Sequence, residues 1–263
     1  MALFHCDFYS TALELSTSMV VILPDPPGEV LTGRKKPQPA RFPTLYLLHG
    51  LSDDHTIWQR RTSIERYVAG YNLAVVMPAV NRSFYTDMSN GQQYFSYLMG
   101  ELPQYLADVF DLSPSRENTL VAGLSMGGYG AFKAALLHPE KFSAAGSFSG
   151  FLSMAFINAY PDDPRFAEFS YLMGDLRKLV GSPHDPEVWL KQAAAHKESL
   201  PKLYMSCGTA DDLLPLNRIF LSQCQALGIN IEYHEEEGAK HDWFFWDKEI
   251  RVFLKSVLGE PLP

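Results

Sequence analysis

The segment that decides the fold reads Asn118-Thr-Leu-Val-Ala-Gly-Leu-Ser125-Met-Gly-Gly-Tyr-Gly-Ala-Phe-Lys-Ala-Ala-Leu-Leu-His138. It begins with apolar and β-branched residues, Thr119 to Ala122, which predict a buried strand. It ends with an Ala- and Leu-rich stretch, Ala131 to His138, which predicts a helix that stops before Pro139. The sharp turn between them is marked by four glycines and carries a single serine.

This turn, Gly123-Leu-Ser125-Met-Gly127, fits the pattern G-x-S-x-G. Between a strand and a helix, that pattern predicts the nucleophile elbow of α/β-hydrolases, with Ser125 Oγ lifted to the tip of the sheet. The Met126 amide then lies at a helix N-terminus, where the helix dipole suits a developing oxyanion. The alternative interpretation is an ordinary glycine-rich turn with a capping serine.

A serine hydroxyl needs a base to take its proton, and in this fold the partners follow in the order Ser, acid, His. Asp211 follows a predicted strand and is the expected acid, with Asp212 as the alternative. His241 lies in the loop after the last predicted strand and is the expected base. His55 is the second choice, because it comes too early for the usual order. For the aspartates, a helix-capping role would explain the segment equally well in isolation.

The segment His49-Gly-Leu51 follows another continuous apolar run. Its glycine allows a sharp turn, so the backbone N–H groups of Leu51 and Met126 are the predicted oxyanion hole. Trp58 and Tyr85 are candidates for lining the acyl pocket, although core packing explains either ring as well.

Composition limits the class of protein. The chain has 263 residues, 46% of them hydrophobic and 20% charged, as in an ordinary soluble domain. A net charge of −8 argues against nucleic acid or an anionic membrane as a partner. Cys6, Cys207 and Cys224 are few and widely spaced, which predicts free thiols. No signal peptide or membrane-spanning run is found, so we expect a cytoplasmic location.

Zinc-binding and phosphate-binding patterns are also missing from the sequence, which predicts no metal and no cofactor. The alternation of strands and helices predicts a mostly parallel, doubly wound sheet with helices on both faces. We expect one α/β-hydrolase domain over residues 1–263, opened by an edge hairpin. Residues 151–200 break the β–α rhythm and predict a small inserted cap. Pro24 to Pro43 predicts a long exposed loop.

Other elements are predicted with their bounds. Thr44 to Leu48 predicts a central strand covered on both faces, and Ile229 to His234 predicts the last strand. Helical spacing predicts helices over Tyr94 to Phe110, with a bend at Pro103, and over Trp243 to Leu258. Asn81 to Gly91, which contains Arg82, predicts a polar and aromatic loop at the end of a strand, where ligands bind in open α/β sheets.

Motifs along nearly the whole chain carry a resemblance to a known family. They are Leu47-Leu-His-Gly-Leu-Ser52 with Trp58, Ala122-Gly-Leu-Ser-Met-Gly-Gly-Tyr-Gly-Ala131, His138-Pro-Glu-Lys-Phe142, Cys207-Gly-Thr-Ala-Asp211 and His241-Asp-Trp-Phe-Phe-Trp246. The chain resembles the putative-esterase family, which includes tributyrin esterases, acetyl and feruloyl esterases, S-formylglutathione hydrolases and antigen 85 mycolyltransferases. It looks closest to the tributyrin-esterase branch. That resemblance implies short acyl esters as substrates, no cofactor, and self-association into a homo-oligomer.

The sequence thus predicts a serine carboxylesterase that hydrolyses short-chain esters, acetyl to butyryl, through an acyl-enzyme on Ser125. The first alternative is a thioesterase of the S-formylglutathione hydrolase type. Such enzymes usually carry histidines at the positions of Leu124 and Tyr129, which lowers the weight of this alternative. A peptidase, an acyltransferase, or an inactive hydrolase fold used for binding are further alternatives, because the fold does not fix the substrate.

Overall fold

A computed structural model describes residues 1–24 and 41–261. Eight strands form one sheet in the order β1-β2-β4-β3-β5-β6-β7-β8. The hairpin β1–β2 pairs antiparallel with β4, and the strands from β4 to β8 are parallel to one another. Their bounds are Ala2–Ser10 (β1), Leu15–Leu23 (β2), Thr44–Leu48 (β3), Ala74–Pro78 (β4), Thr119–Leu124 (β5), Ala144–Phe148 (β6), Lys202–Gly208 (β7) and Glu232–Glu236 (β8).

Helices connect the parallel strands and cover both faces of the sheet. They are Ile57–Arg61 (α1), Ile64–Ala69 (α2), Tyr94–Ser96 (α3), Leu102–Val109 (α4), Met126–Leu137 (α5), Ala155–Ala159 (α6), Phe169–Met173 (α7), Pro186–Ala194 (α8), Leu214–Leu227 (α9) and Trp243–Leu258 (α10). No helix within the described ranges is both long enough and apolar enough to cross a membrane.

The central strands are buried on both faces, which explains why they read as continuous apolar runs. Every residue of β3, β4, β5 and β6 is buried. The sheet separates two clusters of core side chains: one contains α5 residues such as Phe132, and the other contains α10 residues such as Phe253. The predicted mostly parallel sheet with helices on both faces is confirmed, and so is the edge hairpin.

Several boundaries differ from the predictions for local physical reasons. The helix predicted over Tyr94 to Phe110 is interrupted by a π-helical turn, Tyr97–Glu101, directly before Pro103. Proline has no N–H and its ring collides with the carbonyl four residues earlier, so a widened turn accommodates it without ending the helix. The last strand, expected at Ile229 to His234, lies at Glu232–Glu236, where it is an edge strand with partly exposed side chains.

Residues 151–200 form short helices between β6 and β7, and the role of this segment as a cap stays a prediction. Here α8 packs on the elbow helix α5, with the rings of Trp189 and Tyr129 4.8 Å apart. Phe169 of α7 packs on Phe84, at 4.8 Å between ring centroids. The segment therefore covers the elbow helix and the loop after β4. Most of the loop predicted over Pro24 to Pro43 lies outside the described residues.

Candidate active site

Ser125 stands at the turn between β5 and α5 in an unusual backbone conformation, with φ 52° and ψ −114°. Residues other than glycine rarely adopt positive φ, and such strain is concentrated at functional sites. The Ser125 N–H donates to the Phe148 carbonyl at 2.9 Å, which fixes the turn against β6. Between residues 119 and 136, Ser125 is the one residue that is not buried. The fold thus presents this serine alone at the tip of the sheet.

The elbow packs against the loop that follows β3, because Gly127 has no side chain. A Cβ on Gly127 would collide with the carbonyl groups of Leu48 and His49. This close approach sets the start of α5 beside the loop that carries Leu51. The Met126 N–H, as the first amide of a helix, has no acceptor within its own helix. Within the described part of the chain, the Leu51 N–H donates to no acceptor either.

His49 holds that loop in place. Its Nε2 accepts the Val80 N–H at 3.2 Å, so the ring proton is on Nδ1, which donates to the Gly50 carbonyl at 2.8 Å. Burial lowers the pKa of His49 to about 4. The imidazole is therefore neutral at physiological pH, and both of its nitrogens are used to shape the turn before Leu51.

Trp58 and Tyr85, the two residues predicted to line the acyl pocket, are both in the packed core. Trp58 is 1% exposed and donates its indole N–H to the Leu48 carbonyl at 3.0 Å. Tyr85 has no exposed surface, and its hydroxyl donates to the His49 carbonyl at 2.9 Å. The geometry gives both rings a supporting role beneath the Leu51 loop, since neither offers surface to a ligand.

The predicted acid and base are joined by a hydrogen bond. His241 Nδ1 lies 2.9 Å from Asp211 Oδ2, and the Leu213 N–H donates to Asp211 Oδ1 at 2.8 Å. Burial by itself raises the pKa of the Asp211 carboxyl. The hydrogen bonds from His241 and Leu213, the charge of His241 and the nearby Ser149 hydroxyl together outweigh burial, so the pKa of Asp211 lies below the usual range. A carboxylate only accepts, so the His241 proton is on Nδ1 and Nε2 is left as the basic nitrogen.

The loops that carry this pair are connected to each other. The Ala210 N–H donates to the Ala239 carbonyl at 2.9 Å, and the Gly238 N–H donates to Thr209 Oγ1 at 2.8 Å. Gly208 allows this approach, because a Cβ there would collide with the backbone of Ala239. The relative position of acid and base is thus set by main-chain contacts.

The second-choice residues have different surroundings. Asp212, next to the predicted acid, is exposed. His55 lies in the turn before α1, and burial lowers its pKa. The hydrogen bond to the buried carboxylate of Asp211 is made by His241, which favours the first choice for both roles.

Arg82 connects the Leu51 loop to the segment 151–200. Its Nη1 donates to the Leu51 carbonyl at 3.3 Å, while Nε and Nη2 form a forked ion pair with Glu168. A cleft of about 310 Å³ is lined by Arg82 and its neighbours in the loop after β4, and by Glu168, Tyr171 and Leu172 of the segment 151–200. Sequence reasoning placed Arg82 only in a polar loop at a strand end, and the contacts with Leu51 and Glu168 are visible only in three dimensions.

The strands explain why these residues share one edge. Leu51, Ser125, Asp211 and His241 follow β3, β5, β7 and β8, which are all parallel, so their carboxyl ends meet at one edge of the sheet. Among the described residues, no group of three or more His, Cys, Asp or Glu side chains is placed to hold a metal ion. A strained serine elbow on a doubly wound sheet is typical of serine hydrolases of the α/β-hydrolase fold.

Comparison with known proteins agrees with this class. Residues 10–255 match the model of the family described as putative esterase, and the chain belongs to that family. It is 36% identical to an acetyl esterase of Caldicellulosiruptor saccharolyticus over 257 residues, which cover 95% of this chain and 96% of the relative. The predicted family resemblance is confirmed.

Two solved structures from Staphylococcus aureus also resemble it. The fluorophosphonate-binding serine hydrolase FphF superimposes with a TM-score of 0.87 at 31% identity, over 98% of this chain and 99% of FphF. The S-formylglutathione hydrolase FrmB superimposes with a TM-score of 0.84 at 31% identity, over 98% of each chain. The α/β-hydrolase fold is thereby confirmed, and the family supports hydrolysis of carboxylic esters.

Proposed function

We propose that this protein is a carboxylesterase that hydrolyses short acyl esters with Ser125 as nucleophile, His241 as base and Asp211 as the acid that orients the base. The observation that carries the proposal is the hydrogen bond of 2.9 Å between His241 and Asp211, at the same sheet edge as the strained Ser125. A binding protein has no use for a buried carboxylate that fixes an imidazole tautomer at the same sheet edge as a strained, partly exposed serine.

In the first half-reaction, His241 Nε2 takes the proton of Ser125 while Oγ bonds to the acyl carbon. The backbone N–H groups of Leu51 and Met126 stabilise the resulting oxyanion. When the intermediate collapses, the bond to the alcohol oxygen breaks and His241 returns the proton to the leaving alcohol. In the second half-reaction, His241 takes a proton from water, the hydroxide oxygen bonds to the acyl carbon, and the acid leaves as Ser125 recovers its proton.

The preference for short acyl groups is supported by packing beside the elbow. Phe84 lies between Tyr129, Phe151 and Phe169, with ring centroids 5.4, 5.7 and 4.8 Å away. Phe151 is also next to the nucleophile, since its N–H donates to the Ser125 carbonyl at 3.3 Å. Buried rings packed against one another this close to the nucleophile favour a small acyl group. The acetyl activity named for the relative from Caldicellulosiruptor saccharolyticus fits the same range.

Thioester hydrolysis is the second candidate. It is favoured by the structural similarity to FrmB, which is described as an S-formylglutathione hydrolase. The acyl-enzyme chemistry is the same for both substrates, and only the leaving group differs. The cytoplasmic location and the homo-oligomer stay predictions that accompany either candidate.

The test is a hydrolysis panel with pure protein and with Ser125→Ala. Substrates are p-nitrophenyl acetate, butyrate, octanoate and palmitate, together with S-formylglutathione. We expect kcat/KM to be highest for acetate and butyrate, and to fall by at least about 10⁴-fold in the Ser125→Ala variant, because the residual rate comes from the oxyanion hole and binding alone. A circular dichroism spectrum checks that the variant is folded.

Each outcome discriminates between readings. A much higher kcat/KM for S-formylglutathione would replace the ester proposal by the thioesterase. Full activity of purified Ser125→Ala would remove Ser125 from the mechanism. No turnover of any substrate, with no labelling by a serine-directed phosphonate, would leave only a binding role.

A further inference from the structure

Two buried residues outside the predicted triad lie against its acid and its base: Ser149 is next to Asp211, and Trp246 packs on His241. Ser149 follows β6, is fully buried, and lies next to Asp211. Trp246 is in the first turn of α10 and is 5% exposed. Its indole Nε1 donates to Ser149 Oγ at 3.1 Å, and its ring meets the His241 ring at 4.9 Å and an interplanar angle of 88°. Neither residue is a candidate on sequence grounds.

The donor and acceptor properties of these groups fix the direction of the hydrogen bonds. An indole N–H only donates, and an ionised carboxylate only accepts. Because Trp246 donates to Ser149 Oγ, the Ser149 hydroxyl proton is free to be donated to Asp211. Asp211 in turn accepts from His241 Nδ1. Trp246 thus contacts this group of side chains twice: its N–H donates to Ser149, and its ring packs on the imidazole that is hydrogen-bonded to Asp211.

The backbone at Ser149 shows the same constraint. Its φ is 49°, a conformation that is costly for a residue with a side chain. The Ser149 N–H donates to the Ser206 carbonyl of β7 at 2.7 Å, which holds this turn beside the strand that leads to Asp211. The neighbouring Cys207 thiol stays protonated, because burial and the Asp211 charge raise its pKa to about 12. Ser149 therefore sits between a neutral thiol and the carboxylate, and only the carboxylate is a strong acceptor.

We infer that Ser149 and Trp246 are positioning residues that set the charge and orientation of the Asp211–His241 pair. This inference rests on the proposed function. Ser149 holds the carboxylate in the plane that His241 needs and draws charge from its oxygens. Trp246 orients the Ser149 hydroxyl and limits rotation of the imidazole. Neither residue touches the reacting atoms, so both act through His241.

The test compares Ser149→Ala, Ser149→Gly and Trp246→Phe with the matched control Trp243→Phe. Trp243 packs edge-on against Trp246 at 5.3 Å, so the control removes an indole N–H from the same aromatic group. We expect kcat to fall about tenfold in Ser149→Ala and roughly three- to tenfold in Trp246→Phe, with KM changed by less than about twofold, as for loss of one hydrogen bond to a charged network. The control should stay within about twofold of the wild type.

Three further readouts distinguish positioning from a merely structural role. Removal of the Ser149 hydroxyl leaves more charge on the carboxylate that faces the imidazole, so the acidic limb of kcat/KM should move to higher pH. The double variant Ser149→Ala/Trp246→Phe should lose no more than Ser149→Ala alone, because both changes break one chain of hydrogen bonds. The His241 Nδ1–H proton resonance should shift or broaden in both single variants and stay unchanged in Trp243→Phe.

The inference is overturned by a wild-type acidic limb and wild-type kcat in Ser149→Ala, by additive losses in the double variant, or by equal effects of Trp243→Phe and Trp246→Phe. Ser149→Gly removes the hydroxyl and also relieves the positive φ, so it provides a second test if the alanine variant does not fold. The proton resonance is independent of turnover. If the wild type hydrolyses no ester but the resonance still shifts in the variants, then the proposed function fails and the positioning role stands.

Discussion

The pair Asp211 and Asp212 offers a sharp test of the acid, because two adjacent residues of one chemical type have opposite environments. In Asp211→Asn, an amide NH₂ replaces the oxygen that accepts the His241 proton, while the amide oxygen keeps the Leu213 N–H. Two donors then face each other across 2.9 Å. His241 escapes this by moving its proton to Nε2, and the base can no longer accept from Ser125.

The magnitude follows from these contacts. Loss of a hydrogen bond between a carboxylate and the imidazolium that forms during catalysis accounts for about 1.5 to 3 kcal/mol. The wrong tautomer raises the total to about 5.5 kcal/mol, or about 10⁴-fold in kcat. Asp212 is exposed, so Asp212→Asn should change kcat by less than about threefold.

The assay is hydrolysis of p-nitrophenyl butyrate under steady-state conditions, with the rate of phosphonate labelling of Ser125 as a second measure and Tm as a check of folding. Equal losses in the two variants, or a larger loss in Asp212→Asn, would refute the reasoning that burial and the His241 contact identify the acid. A reversed order would move the acid to Asp212 and leave the Asp211–His241 bond without a catalytic purpose.

Two more predictions concern the loop that carries Leu51. Folding lowers the pKa of His49 from 6.5 to about 4, so the unfolded chain binds the proton more readily than the folded one. The wild type should therefore lose up to about 3 kcal/mol of unfolding free energy as pH falls from 6.5 to 4. Denaturant titrations of His49→Gln should lack that loss. Arg82→Gln should lower kcat/KM about fivefold, because it removes the hydrogen bond to the Leu51 carbonyl as well as the ion pair with Glu168. Glu168→Gln keeps the contact with Leu51 and should lower kcat/KM less. Both variants should keep Tm within about 4 °C, since the ion pair is exposed. Equal kinetic losses in the last two variants would contradict the role given to Leu51.

Local sequence signals were sufficient where the local environment decides the structure. The strand Thr44–Leu48 was predicted with its observed bounds, because a strand buried on both faces must be apolar throughout. The helix Trp243–Leu258 was also predicted with its observed bounds, since Asp242 caps its first N–H groups and Gly259 follows its end. Motif and chain order predicted Ser125, Asp211 and His241, and the structure places these three residues at one edge of the sheet.

Residues that act across the sheet gave no such signal. Trp246 and Ser149 are separated by 97 positions and meet only when α10 folds over β6. In the sequence, Trp246 is one of several aromatic residues on an amphipathic helix. Ser149 offered one clue, its position after a predicted parallel strand, where side chains reach the ligand-binding edge. Trp58 and Tyr85 show the same limit, because the sequence does not reveal whether an aromatic ring near a loop lines a pocket or packs in the core, where the structure places both rings.

The order of the strands has a consequence for how the protein could be divided. Leu51, Ser125 and Met126 all precede β6, whereas Asp211, His241 and Trp246 all follow the start of β7, and β6 pairs with β7 in the sheet. A chain cut within residues 151–200 would yield one fragment with the nucleophile and oxyanion groups and another with the acid and the base. Neither fragment would be an esterase alone. Ester hydrolysis by the mixed fragments would therefore measure how much of the mixture has re-formed the β6–β7 pairing.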